Sequence, residues 1–169
     1  NIPKTRNRGV EVEMQARPTS QLTVSGGVGY LDSTITRFDA LPIVEGNRPP
    51  YSPEWTYNLA VDYTQPVAND WDLLLRAQVT GQAGMYYEYF SRERNFSNLG
   101  YLLQKQPGYA LVDLRATLKS PAWAITAFSD NVANTKYYAD AASNLITGFG
   151  DIALRGRTRR YGVEVSYSF

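Results

Sequence analysis

A period of two, repeated along most of the chain, limits this sequence more than any other feature. Seven runs of roughly ten residues alternate apolar with polar or small side chains, the pattern of a β-strand with one face in an apolar medium and one in water. In the first, Val10, Val12, Met14 and Ala16 share one face and Glu11, Glu13, Gln15 and Arg17 the other. Leu22, Val24, Val28 and Tyr30 then alternate with Thr23, Ser25, Gly27 and Gly29 up to about residue 32. The third run sets Trp55, Tyr57, Leu59, Val61 and Tyr63 against Thr56, Asn58, Ala60, Asp62 and Thr64, aromatic at both ends and aliphatic between. Trp71, Leu73, Leu75, Ala77 and Val79 follow, with Leu74 the one break among the polar positions. Ala110, Val112, Leu114, Ala116 and Leu118 oppose Leu111, Asp113, Arg115, Thr117 and Lys119. Trp123, Ile125 and Ala127 mark the sixth run, and Tyr161, Val163, Val165, Tyr167 and Phe169 close the seventh. No window keeps a period near 3.6 residues over three turns, so the expected class is all-β.

The connections carry the next constraint. Short turns fall at 18–21, 65–70 and 119–122, and they alternate with long stretches after Asp32, over 81–107 and over 132–156. Pro42, Pro49, Pro50 and Pro53 place the first of these long stretches outside a ladder, because proline has no amide hydrogen to donate. A bilayer is crossed by strands only within a closed barrel, each strand needing about 9 to 11 tilted residues. Such barrels have an apolar outer band between aromatic girdles, a polar lumen, short periplasmic turns and longer extracellular loops. The sequence offers a counterpart of each, and the charged residues Glu11, Glu13, Asp62, Arg76, Asp113, Arg115 and Glu164 all fall on the lumen side of the pattern. A soluble β-sandwich explains the alternation equally well, but gives no reason for the long connections to gather at one end. The expectation is therefore an antiparallel transmembrane barrel segment, with long loops extracellular and the C-terminus periplasmic. Residues 1–8 would arrive from an extracellular loop. Seven strands leave two open edges, and single-chain bacterial barrels have an even number. The remaining strands are expected from upstream sequence or from another chain, and the opening Asn1-Ile2-Pro3-Lys4 reads as a start within a longer protein.

Composition removes several function classes. Seventeen basic against 16 acidic residues give a net charge of +1, with no electrostatic case for nucleic acid. Cysteine and histidine are absent, which takes away disulfides, thiolate sites and the usual base or metal ligand of hydrolases. An enzyme would have to rely on paired carboxylates such as Glu11 and Glu13, which alternate onto one hydrophilic face and look merely solvated. No enzyme, cofactor or metal site is expected; Asp130, Asp140 and Asp151 do not have the spacing of a calcium loop. No run of about 18 apolar residues marks a membrane helix.

The segment Tyr161-Gly162-Val163-Glu164-Val165-Ser166-Tyr167-Ser168-Phe169 resembles the final strand of outer-membrane proteins, with a terminal Phe in phase with alternating apolar residues. In that group the strand is read by the barrel-assembly machinery, which makes Tyr161, Val163, Val165, Tyr167 and Phe169 the implied assembly signal. Arg8-Gly9-Val10-Glu11-Val12-Glu13, Tyr109-Ala110-Leu111-Val112-Asp113-Leu114-Arg115, Phe128-Ser129-Asp130-Asn131-Val132-Ala133-Asn134 through Tyr137, and Arg159-Arg160-Tyr161-Gly162-Val163 resemble, in that order, the C-terminal strands of TonB-dependent receptors. The Leu and Phe more usual after the first Asn are replaced by Val132 and Ala133. The resemblance implies that residues 1–169 are the C-terminal portion of a barrel of 22 strands around an N-terminal plug. It also implies uptake of a siderophore, cobalamin, haem or glycan coupled to TonB through that plug, which these residues do not include. A separately encoded or trimmed half-barrel that pairs with another chain is the alternative.

Under that reading Tyr86, Tyr87, Tyr89, Phe90, Arg92 and Arg94 in the second long connection, with Tyr137 and Tyr138 in the third, are the candidate ligand contacts. Clustered aromatics and arginines stack on and pair with anionic chelates or sugars. Their plainer reading is an interfacial girdle and a solvated loop. Arg37, Arg48, Arg155, Arg157, Arg159 and Arg160 are candidates for anions or lipopolysaccharide phosphates.

Overall fold

The computed structural model describes residues 4–68, 70–89, 105–142 and 150–169. Its elements are β1 (Lys4–Ala16), β2 (Leu22–Arg37), β3 (Trp55–Ala68), β4 (Trp71–Gln82), β5 (Met85–Tyr86), β6 (Lys105–Gln106), β7 (Tyr109–Lys119), β8 (Trp123–Asp130), β9 (Tyr138–Ala142), β10 (Ile152–Arg155) and β11 (Arg160–Tyr167), with one 3₁₀ turn at Pro42–Val44. Seven of these form a single antiparallel sheet in the order β1-β2-β3-β4-β7-β8-β11, and two small hairpins, β5 with β6 and β9 with β10, stand at one end of it. The sheet does not close on itself. All seven expected runs are present as strands in sequence order, each beside the next, so every pairing is a hairpin connection.

Register turns seven separate alternations into one surface. Along one line Val10 faces Tyr30 and Tyr30 faces Trp55; two residues further, Val12 faces Val28 and Val28 faces Tyr57. Leu59, Val79 and Val112 continue in line, as do Val61, Ala77 and Leu114. On the far side Leu118 meets Ile125 and Ile125 meets Val165, while Ala116 meets Ala127 and Ala127 meets Val163. A slip of one residue at any ladder would send that strand's apolar set to the opposite face, and none occurs within these bands. The outcome is an apolar face that no second sheet covers: Val10 is 65% exposed, Met14 66% and Val163 69%. A contiguous exposed apolar face of this kind marks an interface with lipid or another apolar body. Tyr30 packs on Trp55 at 4.8 Å toward one edge of the band, and Trp123 on Tyr167 at 4.6 Å, with Phe169 beyond, toward the other.

Burial is found elsewhere. Among the described residues the buried apolar side chains are Ile35, Val44, Ala60, Met85, Tyr87 and Ala141, and all but Ala60 lie in the connections or at strand ends beyond the apolar band. Three strands run past their expected limits. β1 begins at Lys4 rather than arriving as a loop, β2 continues to Arg37, and β3 continues through Pro66 to Ala68. Proline is tolerated there because its nitrogen is in phase with that of Thr64, whose N–H donates to Gln21 on the β2 side at 2.9 Å, so the missing hydrogen faces past the start of β2 at Leu22. The long connections also hold structure that the alternation did not suggest, in the two hairpins and the Pro42–Val44 turn.

Candidate functional site

The two faces of the sheet divide the chemistry. Opposite the apolar face, side chains of β3, β4, β7, β8 and β11 form a line of charges. Asp62 and Arg76 stand across from each other in register, and the guanidinium donates to both carboxylate oxygens at 2.9 and 3.0 Å and also to Gln78 at 3.1 Å. Further toward the loop end Asp130 accepts from Arg160 at 2.5 and 3.0 Å and lies 3.7 Å from Arg115. Both guanidiniums sit over the Phe128 ring, 5.7 and 5.5 Å from its centre. Phe128 has room there because Gly162, opposite it in register, carries no side chain; a Cβ on that glycine would lie 2.9 Å from the ring. A cleft of about 760 Å³ opens above this group, lined in part by Asp113, Arg115, Asp130, Tyr137 and Arg160.

Asn131 fixes how the chain leaves β8. It holds φ at +48°, in the left-handed region where Asn is among the few side chains tolerated, and it is 3% exposed. Its amide donates to the carbonyls of Thr135 and Arg157 at 3.0 Å each, its carbonyl accepts from Thr135 N–H at 2.8 Å, and its own N–H donates to Asp113 at 2.8 Å. Asn134, also at positive φ, accepts from the N–H of Arg159 at 3.1 Å. The two asparagines thereby tie both ends of the 131–159 connection to β7 and to each other.

At the loop end the three long connections interlock. The hydroxyl of Tyr51 donates to Asp140 at 2.5 Å, linking the first connection to the third, and its backbone N–H donates to the carbonyl of Tyr86 at 2.8 Å, linking the first to the second. The hydroxyl of Tyr87 donates to the carbonyl of Tyr138 at 2.6 Å, linking the second to the third. Gln106 accepts from the N–H of Tyr138 at 2.8 Å. Met85, Tyr87 and Ala141 form a small core here, with Tyr138 and Ala153 against it. The hydrogen bond to Asp140, followed by burial, pushes the Tyr51 hydroxyl up to about 12. Burial first, then neighbouring tyrosines and Asp140, pushes Tyr87 to about 12 as well. Both therefore remain neutral donors at ordinary pH.

This geometry distributes the residues singled out from sequence. Tyr87 is 4% exposed, with its ring edge-on to Tyr51 and its hydroxyl bonded to backbone. Tyr137 stacks on Tyr109 at 4.5 Å and lies across Gly156. Tyr89 packs edge-on against Phe38, and its carbonyl accepts from Asn47 at 3.0 Å. Tyr86 is half-buried with Lys105 5.7 Å from its ring centre, and Tyr138 is half-buried in the small core. Phe90, Arg92 and Arg94 lie outside the described residues. Tyr161, Val163, Val165 and Tyr167 are all on the exposed apolar face of β11. Sequence reasoning gives no role to Tyr51 or Gln106, weighs Asp140 only as a poor calcium ligand and takes Asn131 only as part of the family resemblance. For Asn131 the signal was present, since an Asn-x-x-Asn spacing after an aromatic strand end suggests a capped turn. For the other three, partners 32 to 89 residues away supply the role.

A family model described as TonB dependent receptor-like, beta-barrel, matches residues 1–134. The chain belongs to that family. Solved TonB-dependent receptors share the fold: the ferric yersiniabactin uptake receptor FyuA from Yersinia pestis superposes with a TM-score of 0.82 at 19% identity, over 99% of this chain and 24% of its own. The ferric preacinetobactin receptor BauA from Acinetobacter baumannii gives 0.76 at 22% identity, over 98% of this chain and 22% of its own. The ferric citrate transporter FecA, in its unliganded form, gives 0.71 at 19% identity, over 99% and 25%. The chain thus spans about a quarter of the length of these receptors. Membership makes the apolar face the outside of an outer-membrane barrel wall and the charged face its lumen side, and the open edges β1 and β11 are those of a barrel segment.

Proposed function

We propose that residues 1–169 form the C-terminal wall and outer loops of a TonB-dependent importer for an iron chelate of the siderophore class. The observation that carries this reading is the pairing of one uninterrupted apolar face with a lumen face of ion pairs, on a segment whose solved relatives are receptors for ferric yersiniabactin, ferric preacinetobactin and ferric citrate. Such a wall has no chemistry of its own. It supplies a dry exterior, a polar interior against which a plug packs, and a mouth at which ligand is caught. In this reading the connections 38–54, 83–108 and 131–159 are extracellular, the short turns and Phe169 are periplasmic, and energy coupling passes through a plug to TonB. The assembly machinery reads β11, and the outward face meets lipid and lipopolysaccharide. At the mouth the half-buried Tyr86, Tyr89, Tyr137 and Tyr138, together with Phe90, Arg92 and Arg94, are the proposed contacts for ligand. Tyr87 would position them, because its own hydroxyl is already committed.

The test is growth and iron uptake in iron-limited cells whose gene for this protein is disrupted, supplied singly with ferric siderophores, cobalamin, haem and oligosaccharide. Loss of uptake confined to one ferric chelate is expected; normal use of every ferric chelate with loss of another class would overturn the ligand assignment. An unheated gel of washed outer membranes separates a segment of a large receptor, which gives a heat-shifted band several times 19.0 kDa, from a separately encoded half-barrel, which gives a band of that size.

A further inference from the structure

We infer that Lys4, Arg6 and Arg8 form a strip on the outer wall that binds the phosphates of an outer-leaflet lipid. The inference rests on the membrane orientation proposed above and deepens it. On β1, Arg6 and Arg8 share the phase of Val10, Val12, Met14 and Ala16, the face exposed to lipid, and Lys4 follows them past a register shift between Lys4 and Thr5. The opposite phase is fixed independently: the hydroxyl of Ser33 donates to Asn7 at 2.6 Å, and Ser33 and Ile35 are buried on that side. Arg8 faces Asp32 one step beyond the Val10–Tyr30 pair, and Arg6 faces Thr34. The strip therefore begins where the aromatic pair Tyr30–Trp55 ends the apolar band. From Arg8 to Lys4 it runs roughly 13 Å along the strand, about 10 Å along the membrane normal once a tilt of about 35–45° is counted, which takes it through the headgroup layer rather than the acyl chains.

Charge balance selects the partner. None of the three cations is within ion-pair distance of a described carboxylate, Asp32 across from Arg8 included. Arg37, across from Lys4, is already held by Asp39 at 2.6 Å. Arg6 and Arg8, about 7 Å apart on the regular part of the strand and pointing away from the lumen, with Lys4 just beyond the register shift and none of the three paired among the described residues, are placed for a phosphorylated headgroup lying flat against the wall. A soluble anion taken up through the lumen would never meet them.

The experiment uses the full receptor purified in detergent and titrated with lipopolysaccharide, with retained lipid read by native mass spectrometry or native gel. Each cation near an anionic surface contributes about fivefold, so the triple variant Lys4→Gln/Arg6→Gln/Arg8→Gln should retain lipid on the order of a hundredfold less well. Arg17→Gln with Lys119→Gln, at the turn end, should not change it. Arg6→Lys/Arg8→Lys, which keeps the charge with little risk to folding, should hold it near wild type. Dephosphorylated lipopolysaccharide should bind wild type as weakly as the triple variant, and millimolar inorganic phosphate should compete only slightly. Equal retention by wild type and triple variant, or full competition by inorganic phosphate, overturns the strip. Failure of the wild-type protein to enter micelles or vesicles would instead overturn the membrane reading itself.

Discussion

The wall and the loop end of this segment solve opposite problems with the same strands. Along the wall, apolar side chains face outward and polar ones inward, so Val12, Leu59 and Leu114 are exposed while Asp62, Arg76 and Arg115 pair across the inner face. Beyond Tyr30 the arrangement inverts. Asp32, Thr34 and the strip from Lys4 to Arg8 face out, and Ile35 is fully buried on the inner side. The strands do not break at that point; the face that carries the apolar side chains changes. Ladder hydrogen bonds and an apolar solvent hold the wall, whereas a few buried side chains and the ties from Tyr51, Tyr87, Asn131 and Gln106 hold the loop end.

If that division is right, the largest effect belongs to the wall. Leu114→Arg, at mid-strand on the lipid face, should destabilise the folded barrel in vesicles by about 2–4 kcal/mol, read from urea unfolding by tryptophan fluorescence. Next comes the loop end, where Asn131→Ala removes three side-chain hydrogen bonds and leaves an alanine at positive φ. At about 0.5–1.5 kcal/mol per bond the loss is about 2–3 kcal/mol, local to the 131–159 connection, and limited proteolysis should cut that connection while the wall stays intact.

A smaller effect distinguishes the two regions by pH. Tyr51 titrates near 12 in the folded protein against an ordinary value of 10.0. Its tie to Asp140 is thus complete below pH 10 and is lost as pH rises toward 12. The loop end should open in that window, followed by phenolate absorbance, with the wall's circular dichroism unchanged, and Tyr51→Phe should remove the part due to Tyr51 and leave that of Tyr87, which is lost in the same window. The least effect is expected from Asp62→Asn on the inner wall. Its pair with Arg76 is substantially exposed, so the loss should stay below about 1 kcal/mol in the same urea titration.

The wall was legible in the sequence because a period of two says which side each residue takes, and register had only to align apolar sets already written into each strand. Leu74, the break in its run, sits on the inner face between Thr64 and Thr117, where its neighbours are small. The extension of β2 to Arg37 was not legible, since past Tyr30 its buried positions are Ser33 and Ile35 and its outward ones are polar, which reads as loss of pattern rather than its reversal. Pro66 likewise read as a turn, although it lies within β3 at a register shift. The interlocking of the loop end was invisible for a different reason. Tyr51 meets Asp140 across 89 residues of sequence, and no local period encodes such a meeting.

The central claim, that one face of this sheet meets lipid, is tested most directly by single cysteines placed in turn at residues 110–119 of β7, in a chain whose sequence here has no cysteine of its own. Each is labelled with a spin or fluorescent probe in the full receptor reconstituted in vesicles. Sites 112, 114 and 116 should respond to a lipid-soluble quencher, and sites 111, 113, 115 and 117 should be shielded from it, in strict alternation. Quenching without a period of two, or in the opposite phase, would contradict the account.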